Sequence, residues 1–344
     1  MAERDAGAAG PAGADAAEPD ASGSDAAGAG AGGSDADRRG GGAAPRVVAV
    51  VVTYDRRDLL VEALEAIRAQ TRLPDAVVVV DNASSDGTPG LVRERFPETE
   101  LLALPRNTGG AGGFAAGLRR ALDRGADLVW LMDDDTVPEP GALAALLRAR
   151  ATVPGPPALV ASRVVWTDGR DHPMNTPRPR PRASAAEIRA AEAAGCVPIR
   201  SASFVSVLVE ADAVRERGLP VADYFLWNDD FEFTTRLLRG RTGVLCRDSV
   251  VVHKTRTFGS TDVDPGERFF YEVRNKIWLF TRSDGLTAAE RVLYGGSTVR
   301  RWALTFVRSR DRAVLRRGLV RGAAAGLRAG PRPNDDVLAD LDPP

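Results

Sequence analysis

Thiol and imidazole chemistry is nearly absent from this sequence, which holds two cysteines, Cys196 and Cys246, and two histidines, His172 and His253. Two cysteines make no disulfide framework, and no Cys/His spacing resembles a zinc site, so stapled secreted folds and zinc modules are excluded. A reducing, cytoplasmic setting is expected. No window approaches the roughly 20 consecutive apolar residues that cross a bilayer. The opening MAERDAGAAG is acidic and lacks an apolar h-region, so no secretory signal is expected. Lysine is confined to Lys254 and Lys276, leaving arginine to carry nearly all the positive charge. A surplus of either sign is missing as well: the formal net charge is −1, which argues against a general nucleic-acid binder.

What is present is a 344-residue chain, 44% hydrophobic, with enough apolar surface for a substantial core. Residues 1–45 are Ala, Gly, Asp and Ser with almost no large apolar side chain, and are expected to form a disordered tail. Order begins at RVVAVVVTYDR, a β-branched run of the kind found in a strand covered on both faces. LLVEALEAIRAQ reads as a helix capped by Asp58, with Pro74 just beyond its end. AVVVVDNAS is a second buried strand, SDGTPGLVRERF a second helix and ETELLALPRN a third strand. GGFAAGLRRALDRG is a third helix and ADLVWLMDDD a fourth strand. This alternation predicts an α/β fold with parallel pairing in βαβ units.

In such sheets ligands bind outside the carboxyl ends of the strands. Thr53-Tyr54, Asp81-Asn82, Asn107 to Gly113 and Asp133-Asp134-Asp135 fall at four successive strand ends. Each cluster alone is ordinary turn chemistry, but four in register point to one crevice. Alternation along a strand lets Asp133 and Asp135 face one side while Asp134 turns away. A hard divalent cation between the first two would offset their repulsion and hold a diphosphate.

VVVTYDR, VVVDNASSDGT, NTGGAGGF and WLMDDDTVPEPGAL, in this order and spacing, resemble the inverting family 2 glycosyltransferases of GT-A fold over roughly residues 46–285. NTGGAGGF with the triple aspartate is most similar to the galactofuranosyltransferases that build actinobacterial galactan, and related rhamnosyltransferases share most of the pattern. The resemblance implies a Rossmann-like, mostly parallel nucleotide-sugar-binding sheet. It makes Asp133 and Asp135 the metal pair of a DXD motif, for Mn²⁺ or Mg²⁺, with His253 as a third ligand. It places Thr53, Asp81, Asn107, Gly109, Gly110, Gly112, Gly113 and Asp134 about the nucleotide sugar. A carboxylate at Asp81 suits the imide N–H of uracil or thymine, and glycines let backbone approach a ligand closely.

In YFLWNDDFEFTTRLLRGRTGVL the same resemblance implies the catalytic carboxylates Asp229, Asp230 and Glu232. Asp230 is the chosen general base for in-line attack on the anomeric carbon. Family members often read Trp-Asp-Asp, whereas here Asn228 intervenes, so the choice between Asp229 and Asp230 stays open. His172, in the Arg/Pro-rich stretch 168–183, is expected in a mobile loop near the acceptor. Arg274 and Asn275, in FFYEVRNKIWLF, are expected to approach phosphate or acceptor.

The expected organisation is a GT-A domain over 46–285, a basic amphipathic helical region over 286–330 suited to an anionic membrane surface, and a flexible tail over 331–344. The expected activity is metal-dependent transfer of galactofuranose from its UDP donor to a lipid-linked cell-envelope glycan. The enzyme would sit in the cytoplasm, peripherally on the inner face of the plasma membrane. A rhamnosyltransferase using a dTDP-sugar is the alternative within the class, and a non-catalytic nucleotide-sugar-binding partner of an envelope complex the alternative outside it.

Overall fold

The computed structural model describes residues 44–256, 258 and 264–340. The tail expected over 1–45 lies outside them apart from Ala44 and Pro45, and residues 45 onward form one compact unit.

The first half alternates as its apolar runs predict: β1 (Val47–Thr53), α1 (Arg57–Arg68), β2 (Ala76–Asp81), α2 (Thr88–Arg95), β3 (Glu100–Ala103), α3 (Gly109–Asp123) and β4 (Leu128–Asp133). Next come β5 (Thr136–Pro138), α4 (Ala142–Thr152), β6 (Leu159–Val165), β7 (Arg178–Pro179), α5 (Ala185–Ala193), β8 (Cys196–Ser201), β9 (Val207–Glu210), α6 (Ala211–Arg217), α7 (Asp229–Leu237) and β10 (Gly243–His253). The chain closes with α8 (Phe269–Thr281), α9 (Ala288–Arg308), α10 (Arg312–Arg328) and α11 (Asn334–Val337).

The strands run in the order β3-β2-β1-β4-β9-β6-β10-β8-β7, with β5 beside β10. Neighbours among β1 to β4 are parallel, as are β6 and β10, while β9 is inserted antiparallel between β4 and β6. β1 is buried along its whole length because the sheet is covered on both faces. Val47, Ala49 and Val51 join a layer with Leu60 and Leu64 of α1 and Leu143 of α4, whereas Val48, Val50 and Val52 join one with Phe114 and Leu118 of α3. Each such valine contributes roughly 1.5–3 kcal/mol. Register then levels the functional ends: Thr53 pairs with Asp81, Val52 with Asp133, and His253 with Thr136.

Three elements differ from the sequence reading. Asp58 does not cap α1; it sits in the first turn with its carboxylate in solvent. The Arg57 N–H is taken by Asp86 Oδ2 at 3.0 Å, from the loop before α2, and a cap donated across space leaves no local pattern. α3 begins at Gly109, so the glycine run lies inside the helix. Residues 331–340 pack on the domain instead of forming a tail: Val337 and Leu338 are buried against Ala115 and Ala222, and Asn334 bonds Ala222 N–H and the Pro220 carbonyl.

Candidate active site

The aspartate run is held from the end of β1. Thr53 Oγ1 donates to Asp134 Oδ2 at 2.9 Å, the Tyr54 N–H adds a bond of 3.3 Å to the same oxygen, and Arg56 Nη1 lies 3.2 Å from Asp134 Oδ1 and 2.6 Å from Asp135 Oδ2. Repulsion among the carboxylates is thus offset partly by Arg56, a residue the sequence reading passed over. Burial, moderated by Arg56, pushes the Asp134 carboxyl up to about 6. Burial and then the Asp135 and Asp134 carboxylates push Asp133 well up. Asp135 is also buried, yet the His253 ring in its protonated form, and then Arg56, hold it below the usual carboxylate value.

Asp133, Asp135 and His253 converge, each offering a ligand atom within 4.8 Å of the others. His253 Nδ1 lies 2.8 Å from Asn175 Oδ1, an oxygen that only accepts, so Nδ1 carries the proton. In the neutral ring Nε2 then presents a lone pair 3.0 Å from Asp135 Oδ1, which has no hydrogen-bond donor. Two lone pairs at that separation call for a proton or a cation between them. An oxygen, oxygen, nitrogen set with the imidazole oriented through its other nitrogen fits a divalent metal.

His172 is not in an open loop. It is fully buried, its ring centroid 5.1 Å from that of His253 and its Nε2 2.9 Å from Thr255 Oγ1, because the 168–183 stretch folds back along β6. Burial and then His253 lower its pKa.

Asp81, at the end of β2, accepts the Ser84 N–H on Oδ2 at 3.1 Å, while its buried Oδ1 has no partner. An orphaned buried acceptor costs about 1–3 kcal/mol, so this oxygen is suited to a ligand N–H. Asn82 clamps β2 to α3, accepting from the Thr108 N–H and hydroxyl and donating to the Gly109 carbonyl. Asn107 accepts the Gly109 N–H at 2.7 Å and borders a cavity of about 170 Å³ shared with Phe225, Tyr271 and Arg274. Three of the four glycines approach the protein itself: a Cβ on Gly109 would stand 2.0 Å from the Phe225 carbonyl oxygen, and one on Gly112 or Gly113 would meet Thr108 or Val52. Gly110 alone of the four faces open space.

The turn before α7 is strained. Phe225, Trp227 and Asn228 all have positive φ, at 62°, 66° and 66°. Asn275 holds this turn, its Nδ2 donating to the carbonyls of Tyr224, Leu226 and Trp227 at 2.9 Å each, and Arg274 donates to those of Asp223 and Tyr224. Both residues, expected to reach a ligand, donate to the backbone of this turn, where the Tyr224 carbonyl also accepts the Leu226 N–H. Asn228 is the N-cap, so Asp229 and Asp230 open the helix. Asp229 is buried and pushed up to about 8, chiefly by burial and then by Asp230, and its charge reaches Asp133. Asp230 is half-buried and accepts the Phe231 N–H at 2.6 Å; burial raises it, opposed by that bond and then by Lys276 and Arg178. Glu232 is committed elsewhere, accepting from Arg236 on both oxygens and from Ser283 Oγ on one.

A mostly parallel sheet whose strand ends carry an orphaned carboxylate, a DXD-type acidic pair with histidine and a second carboxylate cluster defines a glycosyltransferase of GT-A fold. The chain belongs to glycosyl transferase family 2, whose model matches residues 48–209. It is 34% identical over 255 residues to galactofuranosyltransferase GlfT1 of Mycobacterium tuberculosis, covering 69% of this chain and 82% of that one. To the enzyme of the same name from Mycolicibacterium smegmatis it is 35% identical over 202 residues, covering 56% and 65%. The crystal structure of S. aureus TarS 1–349 in complex with UDP-GlcNAc superposes with a TM-score of 0.55 at 16% identity, covering 85% of this chain and 83% of that one.

Proposed function

We propose that this enzyme transfers galactofuranose from UDP-galactofuranose, with inversion, to a lipid-linked cell-envelope glycan, using a divalent cation held by Asp133, Asp135 and His253. The observation that carries the reading is the unshared pair of acceptors, Asp135 Oδ1 and His253 Nε2, 3.0 Å apart, with Asp133 close enough to complete a triad. When bound, the cation would neutralise the diphosphate and the charge developing on it as the sugar departs. Thr53 and Arg56 hold Asp134 and Asp135 in place. Asp81 Oδ1 accepts the imide N–H of the uracil ring, and Gly110 leaves room for the donor's approach.

Asp230 is the base. It is half-open and flanked by Lys276 and Arg178, which favour its ionised form, whereas Asp229 at about 8 is largely protonated near neutrality. The likeness to two galactofuranosyltransferases supports the sugar. Because thymine offers the same imide N–H to Asp81, a rhamnosyl donor on dTDP is the competing reading. Calorimetry of UDP, dTDP and UDP-galactofuranose, each with Mn²⁺ and with chelator, separates them. Metal-dependent uridine binding that tightens with the sugar is expected; preference for dTDP overturns the donor, and binding indifferent to metal overturns the metal site.

A lipid-linked acceptor accords with the surface of the last helices. Val292, Leu293, Val299 and Val307 of α9 and Val320 and Leu327 of α10 are each more than half exposed, with 59% the lowest value. Ten arginines against two acidic residues lie between 288 and 328. Apolar side chains set among arginines suit peripheral attachment to an anionic bilayer. Among the described residues no helix is long and apolar enough to cross a membrane.

A further inference from the structure

The two cysteines stand opposite each other in the sheet. Antiparallel pairing of β10 with β8 sets Cys246 against Cys196, next to Leu245 against Val197 and Val244 against Pro198, and the ladder between the two strands ends there. Both cysteines are 2% exposed and lie on the same face, in the layer with Leu143, Leu146 and Ala149 of α4. Each thiol has a carbonyl to donate to, that of Ala194 at 3.2 Å from Cys196 Sγ and that of Ala145 at 3.7 Å from Cys246 Sγ. Neither takes part in the proposed transfer.

Directly opposed residues of an antiparallel pair hold their Cβ atoms about 4.5–5.5 Å apart, and a disulfide needs about 3.5–4.5 Å. Closing that gap moves only the end of a ladder. Gly195, with φ of 66°, turns the chain into β8 one residue before Cys196. On the other strand, residues 247–249 bulge out between Cys246 and Val250, which pair with Ser162 and Arg163 of β6. The bulge is at the surface, with Arg247 and Asp248 exposed. A hydrogen bond from Cys196, and then the backbone N–H groups of Ser249 and Asp248 in that bulge, lower the Cys246 thiol to about 7 against its burial. The same bond and burial raise Cys196. The two sulfurs are thus unequal, and Cys246 is the more readily ionised and the better nucleophile.

We propose that Cys196 and Cys246 form a redox-active dithiol, converted by hydrogen peroxide to a cross-strand disulfide and returned by a small thiol. The Cys246 thiolate attacks one peroxide oxygen, the O–O bond breaks, and hydroxide leaves and takes up the released proton as water. A sulfenic acid remains on Cys246. The Cys196 sulfur then attacks the Cys246 sulfur, forming the S–S bond as the S–O bond breaks, and the second water departs with the Cys196 proton. Two thiols and one peroxide thus give one disulfide and two waters. In the return, two small thiols become one small disulfide by exchange. The bridge would tie β8 covalently to β10, the strand whose far end carries His253.

The test is peroxide treatment of the native full chain, then alkylation with iodoacetamide in denaturant and mass spectrometry. The expected product is lighter than the reduced chain by the mass of two hydrogens, carries no alkyl group and yields one cross-linked peptide pair. Dithiothreitol should restore both alkylation sites. Cys196→Ser should stop at the sulfenic acid, trapped on Cys246 by dimedone, and Cys246→Ser should react with peroxide about tenfold more slowly or less. The unaltered chain carries the decision, so it does not depend on how either variant folds. Two alkylated cysteines after peroxide, over-oxidation without a cross-link, or a disulfide between chains overturns the pair. So does a bridge that forms faster in urea than in buffer, since the fold would then not be what brings the sulfurs together. Equal peroxide rates in the two variants remove Cys246 as the attacking sulfur.

Discussion

Carboxylates govern this site one residue at a time, and their environments push them to different tasks. Asp230→Asn should lower kcat by about 10²–10⁴-fold, with UDP affinity retained; a variant turning over at the wild-type rate would remove Asp230 as base. Asp135→Ala takes one oxygen from the proposed cation site and breaks the tie to Arg56, so UDP binding should lose its Mn²⁺ dependence in calorimetry. The pH dependence of stability follows from Asp229. Its folded value of about 8 lies above the ordinary 3.8, so the native state binds the proton more tightly than the unfolded chain does. Stability from this group is present below the unfolded value and is lost as pH rises from about 4 to about 8. In chelator, the melting temperature should fall across that window, and Asp229→Asn, which keeps the neutral form, should flatten the fall.

At the level of elements, close approach rather than side-chain chemistry explains the glycines. Gly109 has φ of 72° and abuts the Phe225 carbonyl, so it joins the start of α3 to the strained turn before α7. Gly109→Ala should cost about 3 kcal/mol or more through left-handed strain and the clash, read as a lower urea midpoint together with loss of UDP binding. Gly318, Gly322 and Gly326 form a stripe on α10 along which α8 lies, with a Cβ at Gly322 only 2.7 Å from the Phe270 carbonyl oxygen. The spacing GLVRGAAAG is visible in the sequence, but the arginines around it make the stretch look only basic and amphipathic. Arg200 fastens the same region to the sheet, since its guanidinium is buried between Glu290 and the carbonyls of Thr235 and Gly285.

For the whole molecule, the segregation of charge is the feature with consequences. Arginine is concentrated in α9 and α10 of a chain whose formal net charge is −1. Sedimentation with vesicles rich in anionic lipid should carry the protein down at low salt and release it as salt rises, whereas vesicles of neutral lipid should retain little. Replacing Val292, Leu293 and Val299 with serine should weaken the anionic-vesicle binding without altering UDP affinity. Equal binding to both vesicle types, or no effect of the replacements, would detach these helices from the membrane.

The sequence by itself determined the alternating first half, the four strand ends and the acidic pair, because a strand buried on both faces must be a continuous apolar run and its polar stop is then a local signal. The carboxylate cluster after Trp227 stood out through the family resemblance, since acids at a helix start are by themselves ordinary. Only the tertiary structure decided what meets what. The inserted β9, the pairing of β10 with β5 that carries His253 to the aspartates, Asn175 on the far side of that ring, Arg56 across the carboxylates and Asn275 beneath the α7 turn all depend on contacts between residues far apart in the chain. Such contacts are set by which strands become neighbours and in what register, and no local pattern of residues encodes that choice.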